Sequence, residues 1–285
     1  MKSRLTLNLL LAFLLIALGI IVWLKPGHED IKTSSIVGLN IEAIHTIKIE
    51  RENANNIELK LIKNQWQLTQ PIKVAALAGK IERLLKISQI KPLATYPLEK
   101  SSLGQFNLDT PNVRLSFNKK TLNIGNTESV QSRRYVSNDT QLFLLDDTFL
   151  HHLTAPVNAY IDTLLLPNGI QISGLQTPQL SLKRQEDNTW LHSQSPTDEL
   201  SSDAVQMLLD EWRFARAINV STQFVNTNTE QITLSLNNLQ ELKFNLIRQK
   251  DNVLLISSDK KLAYLFSNNK YKKMTTLPIL NEPDA

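Results

Sequence analysis

Residues 5–24 run for twenty positions without a charged side chain, and Thr6 and Asn8 are the strongly polar residues among them. As a helix this stretch rises about 30 Å, the thickness of bilayer hydrocarbon, with its backbone polar groups satisfied internally. No other segment narrows the folding options as sharply. Lys2 and Arg4 precede the run and Trp23 stands near its end. That charge bias predicts a cytoplasmic N-terminus, a single crossing and a body on the far side. Ala17-Leu18-Gly19 supplies small residues of the kind found at cleavage sites, but Ile20 to Leu24 continue the apolar run beyond it. A retained anchor is therefore expected in preference to a removed signal peptide.

The chain beyond the anchor must fold. It has 285 residues in all, 42% hydrophobic and 20% charged, enough for a buried core and too apolar for bulk disorder. It has no cysteine, which removes disulfides, thiolate metal sites, cysteine nucleophiles and lipoprotein acylation. The expected location is a bacterial inner membrane, with the body in the periplasm. Once Lys2, Arg4 and Lys25 are set aside, 28 basic residues face 27 acidic ones. A body so nearly neutral lacks the basic face needed to neutralise several phosphates, so no nucleic-acid partner is expected. The eight glycines form no Gly-x-Gly and no phosphate-binding loop, and no cofactor is expected on that ground.

Residues 26–37 are polar, with Pro26, Gly27, Ser34 and Ser35, and read as a stalk that follows the anchor tip at residues 1–25. Alternation then begins. Ile47 and Ile49, then Ile57, Leu59 and Leu61, then Trp66 and Leu68 follow the period of two that lines one strand face. After Pro71 the period lengthens: Leu77, Ile81, Leu84, Leu85 and Ser88 predict an amphipathic helix over about 75–89. The order returns 124 residues later, from Trp66 to Trp190. Leu180 and Leu182, then Trp190, give strands, and Ser201-Ser202-Asp203 cap a helix carrying Val205, Leu208, Leu209, Trp212 and Phe214. In each half further strands come after the helix. The expected fold class is α+β: an N-terminal transmembrane helix, then two tandem duplicated repeats over 38–160 and 161–285, each mostly antiparallel sheet with one main helix.

Several of these residues form a combination beyond mere patterning. Trp66-x-Leu68-x-x-Pro71 ahead of the first helix, Leu108-Asp109-Thr110-Pro111 ahead of a strand, Ile124-Gly125 and Arg134-Tyr135-Val136, together with the anchor, resemble the bacterial Domain of Unknown Function 4340 family. The likeness covers residues 40–150 well and the second repeat more weakly, since Trp190 lacks the proline that follows Trp66. The resemblance implies a membrane-anchored protein with no assigned biochemistry. It further implies a partner, because some members are encoded beside ABC-type transport systems of the gliding-motility kind. No catalytic residue is carried over by it.

Four groups invite a chemical reading. Asp146-Asp147 followed by His151-His152 has the donor types of a metal site, yet adjacent histidines on a helix point about 100° apart. A short helix with acidic residues at its start and histidines at its end explains them, and no metal site is assigned. Ser257-Ser258-Asp259-Lys260 fits the Ser-x-x-Lys of penicillin-recognising hydrolases, but it sits between two apolar strands, where it reads as a hairpin turn. Arg133-Arg134 and Lys119-Lys120 read as solvated cations beside turns. Trp66 and Trp190 hold matching places in the two repeats and are the candidate binding residues, through stacking on a sugar, against the plainer role of core plugs.

The expected function is accordingly non-enzymatic: a membrane-anchored envelope protein acting as an interaction module, accessory to an ABC-type transport or gliding-type envelope system. Its expected partners are the inner membrane, transporter subunits and other envelope proteins. The alternative is a periplasmic module that binds cell-wall glycan or a polypeptide between the repeats, and an envelope hydrolase has less support.

Overall fold

Lys63 and Asn64 both take left-handed backbone angles, φ 49° and 61°, the conformation of a tight hairpin turn. They join β2 (Ile57–Ile62) to β3 (Gln65–Gln70), and β2 pairs in turn with β1 (Thr46–Arg51). The computed structural model describes residues 10–19, which form the helix α1, and residues 35–129, 131–192, 200–224 and 230–279. Beyond β3 come β4 (Val74–Ala75), α2 (Ala78–Ile87), β5 (Ala94–Pro97), β6 (Val113–Phe117), β7 (Lys120–Thr127), β8 (Arg133–Ser137) and β9 (Gln141–Asp146). These strands form one antiparallel sheet in the order β4-β3-β2-β1-β6-β7-β8-β9-β5. Ile47 faces Phe117 and Ile49 faces Leu115 across β1 and β6, and all four are fully buried. The alternation thus sends one face of the sheet into the core, where Ile81, Leu84 and Ile87 of α2 also bury their side chains.

The second half repeats this plan. After α3 (Leu150–Leu153) come β10 (Ile172–Gln176), β11 (Ser181–Arg184), β12 (Trp190–His192), α4 (Ser202–Arg213), β13 (Asn219–Ser221), β14 (Glu230–Leu236), β15 (Glu241–Arg248), β16 (Asn252–Ser257), β17 (Leu262–Ser267) and α5 (Asn268–Thr275). The order of this sheet is β12-β11-β10-β14-β15-β16-β17-β13. With the two-residue β4 set aside, both sheets share one sequence of strands, and each sends its helix out after the third strand. Ser201 Oγ caps α4 by accepting from the amide of Ala204 at 3.4 Å, as its sequence position predicts.

Residues 157–166 strap the two sheets together. Leu77 N donates to Tyr160 O and Asp162 N to Ala75 O, both at 2.9 Å. On the other side Leu165 N donates to Ala215 O and Ala217 N to Thr163 O, again at 2.9 Å. The strap lies against the chain just past β4 and just before β13, so it covers one margin of each sheet. Tyr160, Ile161, Leu165 and Leu166 are buried along it and join both inner faces in one apolar cluster.

Among the described residues no helix is long and apolar enough to cross a membrane. Of the expected span, only residues 10–19 are described, as α1; residues 5–9 and 20–24 lie outside the described residues. The predicted helix over 75–89 is shorter than expected, because Val74 and Ala75 pair back onto β3 as β4 before the helix begins. Four elements escaped sequence patterning. β5 and β13 have four and three residues, too few to show a period, and β10 is interrupted by a bulge between Ile172 and Gly174. The fourth, α5, is mostly polar and is held by burial of Tyr271 and Met274 and by the Ser267 cap.

Candidate functional site

Trp66 and Trp190 sit on the third strand of their respective sheets, each half-buried and packed against the core. The Asp146-Asp147 region departs from its predicted role. Asp147 does not cap α3, which starts after Phe149 without a side-chain cap. It accepts instead from Arg134 Nη2 at 2.6 Å. Arg134 is correspondingly withdrawn from solvent, its side chain 13% exposed, and its other terminal nitrogen donates to Gly125 O at 2.5 Å. It is not the solvated cation predicted for the Arg133-Arg134 pair. Among the described residues no group of three or more His, Asp or Glu is placed to hold a metal. Ser257 ends β16, and its Oγ accepts from the amide of Lys260 at 3.3 Å. The segment is the turn into β17, as its sequence predicts, and does not open a helix.

Two features of the surface remain chemically distinctive. The first is a cation cluster at the junction of α2, α3 and the strap. Lys80 is 6% exposed, and its Nζ lies 4.7 Å from the centre of the Tyr160 ring. Tyr160 is fully buried and donates its hydroxyl to His152 O at 2.6 Å. Arg51 reaches the same place from β1, donating to the carbonyls of Asn55 and, at 2.5 Å, Ala155. The rings of His151 and His152 touch in a tilted arrangement, their centroids 3.9 Å apart and their planes 51° from parallel. Among the described residues no carboxylate is ion-paired with Arg51, Lys80, Arg83, His151 or His152. Sequence reading picks out His151-His152 but not their joining with Arg51, Lys80 and Arg83, because the members stand up to 101 positions apart, from Arg51 to His152.

Burial holds the Lys80 ammonium down to about 8, with Arg83 and Arg51 adding to the effect. Its folded value lies below the ordinary 10.5, so the charge opposes folding throughout the range under about pH 8. The opposition fades as pH climbs toward 10.5. Lys80→Met is expected to raise unfolding free energy by about 1 kcal/mol at pH 7, a gain that shrinks near pH 10 in denaturant titrations. His152 is pushed down to about 4 by burial, then by His151, Lys80 and Arg83. The folded chain keeps this imidazole neutral while the unfolded chain takes up a proton near 6.5. Stability is therefore expected to fall as pH drops from 6.5 to 4, and thermal melts of His152→Gln should show a flatter profile across that window.

The second feature is a groove of about 700 Å³ between α4 and α5, lined by Met207, Leu208, Phe214, Leu277 and Pro278 with charged residues on its rim. Val205, Leu208, Leu209 and Trp212 point into the core. Phe214 does not continue this buried stripe as its sequence position predicts: it follows the last helical residue and, with Met207 two turns before it, lies on the opposite side, the two being 64% and 51% exposed. On the rim Lys270 pairs with Glu211 at 2.5 Å and Asp210 with Arg213 at 2.7 Å. Lys272 and Lys273 are exposed and make no ion pair among the described residues.

The family model described as domain of unknown function (DUF4340) matches residues 66–254. The chain belongs to this family. No curated protein and no solved structure matches the chain. Residues that mark the DUF4340 resemblance meet at one structural joint. A Cβ at Gly125 would overlap the carbonyl oxygen of Phe106 and lie 2.9 Å from Leu108 Cδ2, so the position excludes a side chain. Phe106 also packs on Tyr135, ring centroids 4.4 Å apart, and the Gly125 carbonyl accepts from Arg134. The joint clamps the 3-10 helix at Lys100–Phe106 onto β7 and β8. Within the DUF4340 match lie Lys80, Arg83, His151, His152 and all of α4, whereas Arg51 and α5 fall outside it.

Proposed function

We propose that this DUF4340 protein is a non-enzymatic, single-pass protein of the bacterial inner membrane, held by residues 5–24 with its body in the periplasm. In this reading the body docks a subunit of an ABC-type transport or gliding-type envelope system. The matching strand orders of the two sheets support an origin by tandem duplication. The observation that carries the docking role is the apolar groove between α4 and α5, where Phe214 and Met207 stand open to solvent. An exposed aromatic beside Met, Leu and Pro is the composition of a protein contact rather than of a solvated helix face. The unpaired Lys272 and Lys273 on its rim select an occupant of apolar character flanked by acidic residues.

The absence of cysteine makes the topology directly readable. A single cysteine at Leu239, 95% exposed, should react with a membrane-impermeant maleimide from the periplasmic side of spheroplasts and resist it in inverted vesicles. Docking is tested with the full chain tagged after Ala285 and recovered in mild detergent. Transport subunits should be enriched with the wild type, and Met207→Glu with Phe214→Glu should lower their recovery about tenfold or more. Equal recovery with both chains would remove the groove from the account.

A further inference from the structure

A lysine whose side chain is largely buried ordinarily rests its ammonium on a hydrogen-bond acceptor or a counter-charge of the protein, since partial loss of hydration is costly. Lys80 has neither among the described residues; its partner is the face of Tyr160. The neighbouring elements bring further positive or protonatable groups and no ion-paired acid: Arg83 from α2, Arg51 from β1, and His151 and His152 from α3. The Tyr160 hydroxyl is spent on His152 O and the Arg51 guanidinium on the Asn55 and Ala155 carbonyls. Lys80 Nζ is thus left facing the mouth of the cluster with no protein acceptor among the described residues. Arg83 and His151 are exposed, so the cluster opens to solvent.

We propose that the junction of α2 and α3 binds a phosphate group, with Lys80 Nζ as the inner donor and Arg83, His151 and His152 at the mouth. A tetrahedral, doubly charged oxyanion offers acceptors in several directions, which suits donors converging from two helices. A carboxylate has two oxygens and one charge and leaves part of the cluster unanswered. The site is separate from the α4–α5 groove and does not depend on the docking role. Binding would also raise the imidazole pKa of His152, because an anion favours its protonated form.

The test uses the full chain in detergent, with unmodified lysine labelled biosynthetically with ¹³C at Cε, and inorganic phosphate titrated against sodium chloride at constant ionic strength. The Lys80 resonance is identified by its loss in Lys80→Met. It should move along a saturating curve, and in Arg83→Gln the midpoint should rise about tenfold. Short-chain phosphatidic acid forms the second arm. A midpoint well below that of inorganic phosphate assigns the phosphate to a lipid headgroup, and an equal midpoint assigns it to a soluble phosphate. The proposal is overturned by a Lys80 resonance that fails to saturate with either probe, or by an Arg83→Gln curve superposed on the wild type. Should Lys80→Met fail to fold, Arg83→Gln at its exposed position still decides, because the resonance that saturates in the wild type must weaken in it.

Discussion

Trp212→Ala is expected to cost about 3–5 kcal/mol of unfolding free energy, the range for deleting a fully buried indole from a core that cannot collapse around the gap. Trp212 is wholly inaccessible, the largest of the fully buried side chains. Its Nε1 donates to Met274 O at 2.5 Å, so the residue both fills the space under α4 and ties α4 to α5. Loss of the indole also leaves a buried carbonyl without its donor, which adds to the cavity term. Trp212→Phe keeps most of the volume and should cost only about 1–2 kcal/mol. Denaturant titration of both variants distinguishes the two contributions. Because the groove is built on α4 and α5, Trp212→Ala should also abolish docking where Trp212→Phe retains it.

Arg134→Met should cost about 2–3 kcal/mol, somewhat less than breaking a fully buried ion pair, since the Arg134 and Asp147 side chains are 13% and 18% exposed. The substitution strands the Asp147 carboxylate and removes the donor to Gly125 O. Restoring charge balance with Asp147→Asn in the same chain should recover part of the loss, because the amide needs no counter-ion. A double-mutant cycle measures that coupling. A cycle with no coupling would show that the joint at Gly125 and Phe106, and not the ion pair, secures β8 and β9.

The contrast between these two residues shows what local pattern carries. Trp212 was legible because it continues the helical stripe of Val205, Leu208 and Leu209, and burial follows from that period. Arg134 was not, because nothing local distinguishes it from Arg133; the difference arises from Asp147 and Gly125, which only the sheet brings near. The two α+β halves, their hairpin turns and the Ser201 cap follow from short-range alternation and cap chemistry. The short strands β5 and β13 follow from tertiary pairing and leave no periodic trace. The groove shows the same limit: the helical period counts Phe214 with the buried stripe of α4, whereas it is 64% exposed, and the far wall comes from α5, 55 positions beyond Arg213 at Asn268. The cation cluster is further still from local pattern, since Arg51, Lys80 and Arg83 have no sequence mark that sets them apart from other basic residues and only the fold brings them to His151 and His152.

The most direct measurement replaces Phe214 with a photo-cross-linking phenylalanine analogue in the full chain and irradiates living cells. Adducts are identified by mass spectrometry after solubilisation. The account predicts a cross-link from position 214 to a subunit of an ABC-type transport system, and its loss when Lys272 and Lys273 are changed to glutamate. No such adduct from position 214, or one that is indifferent to the two lysines, would contradict the docking of an envelope partner in the α4–α5 groove.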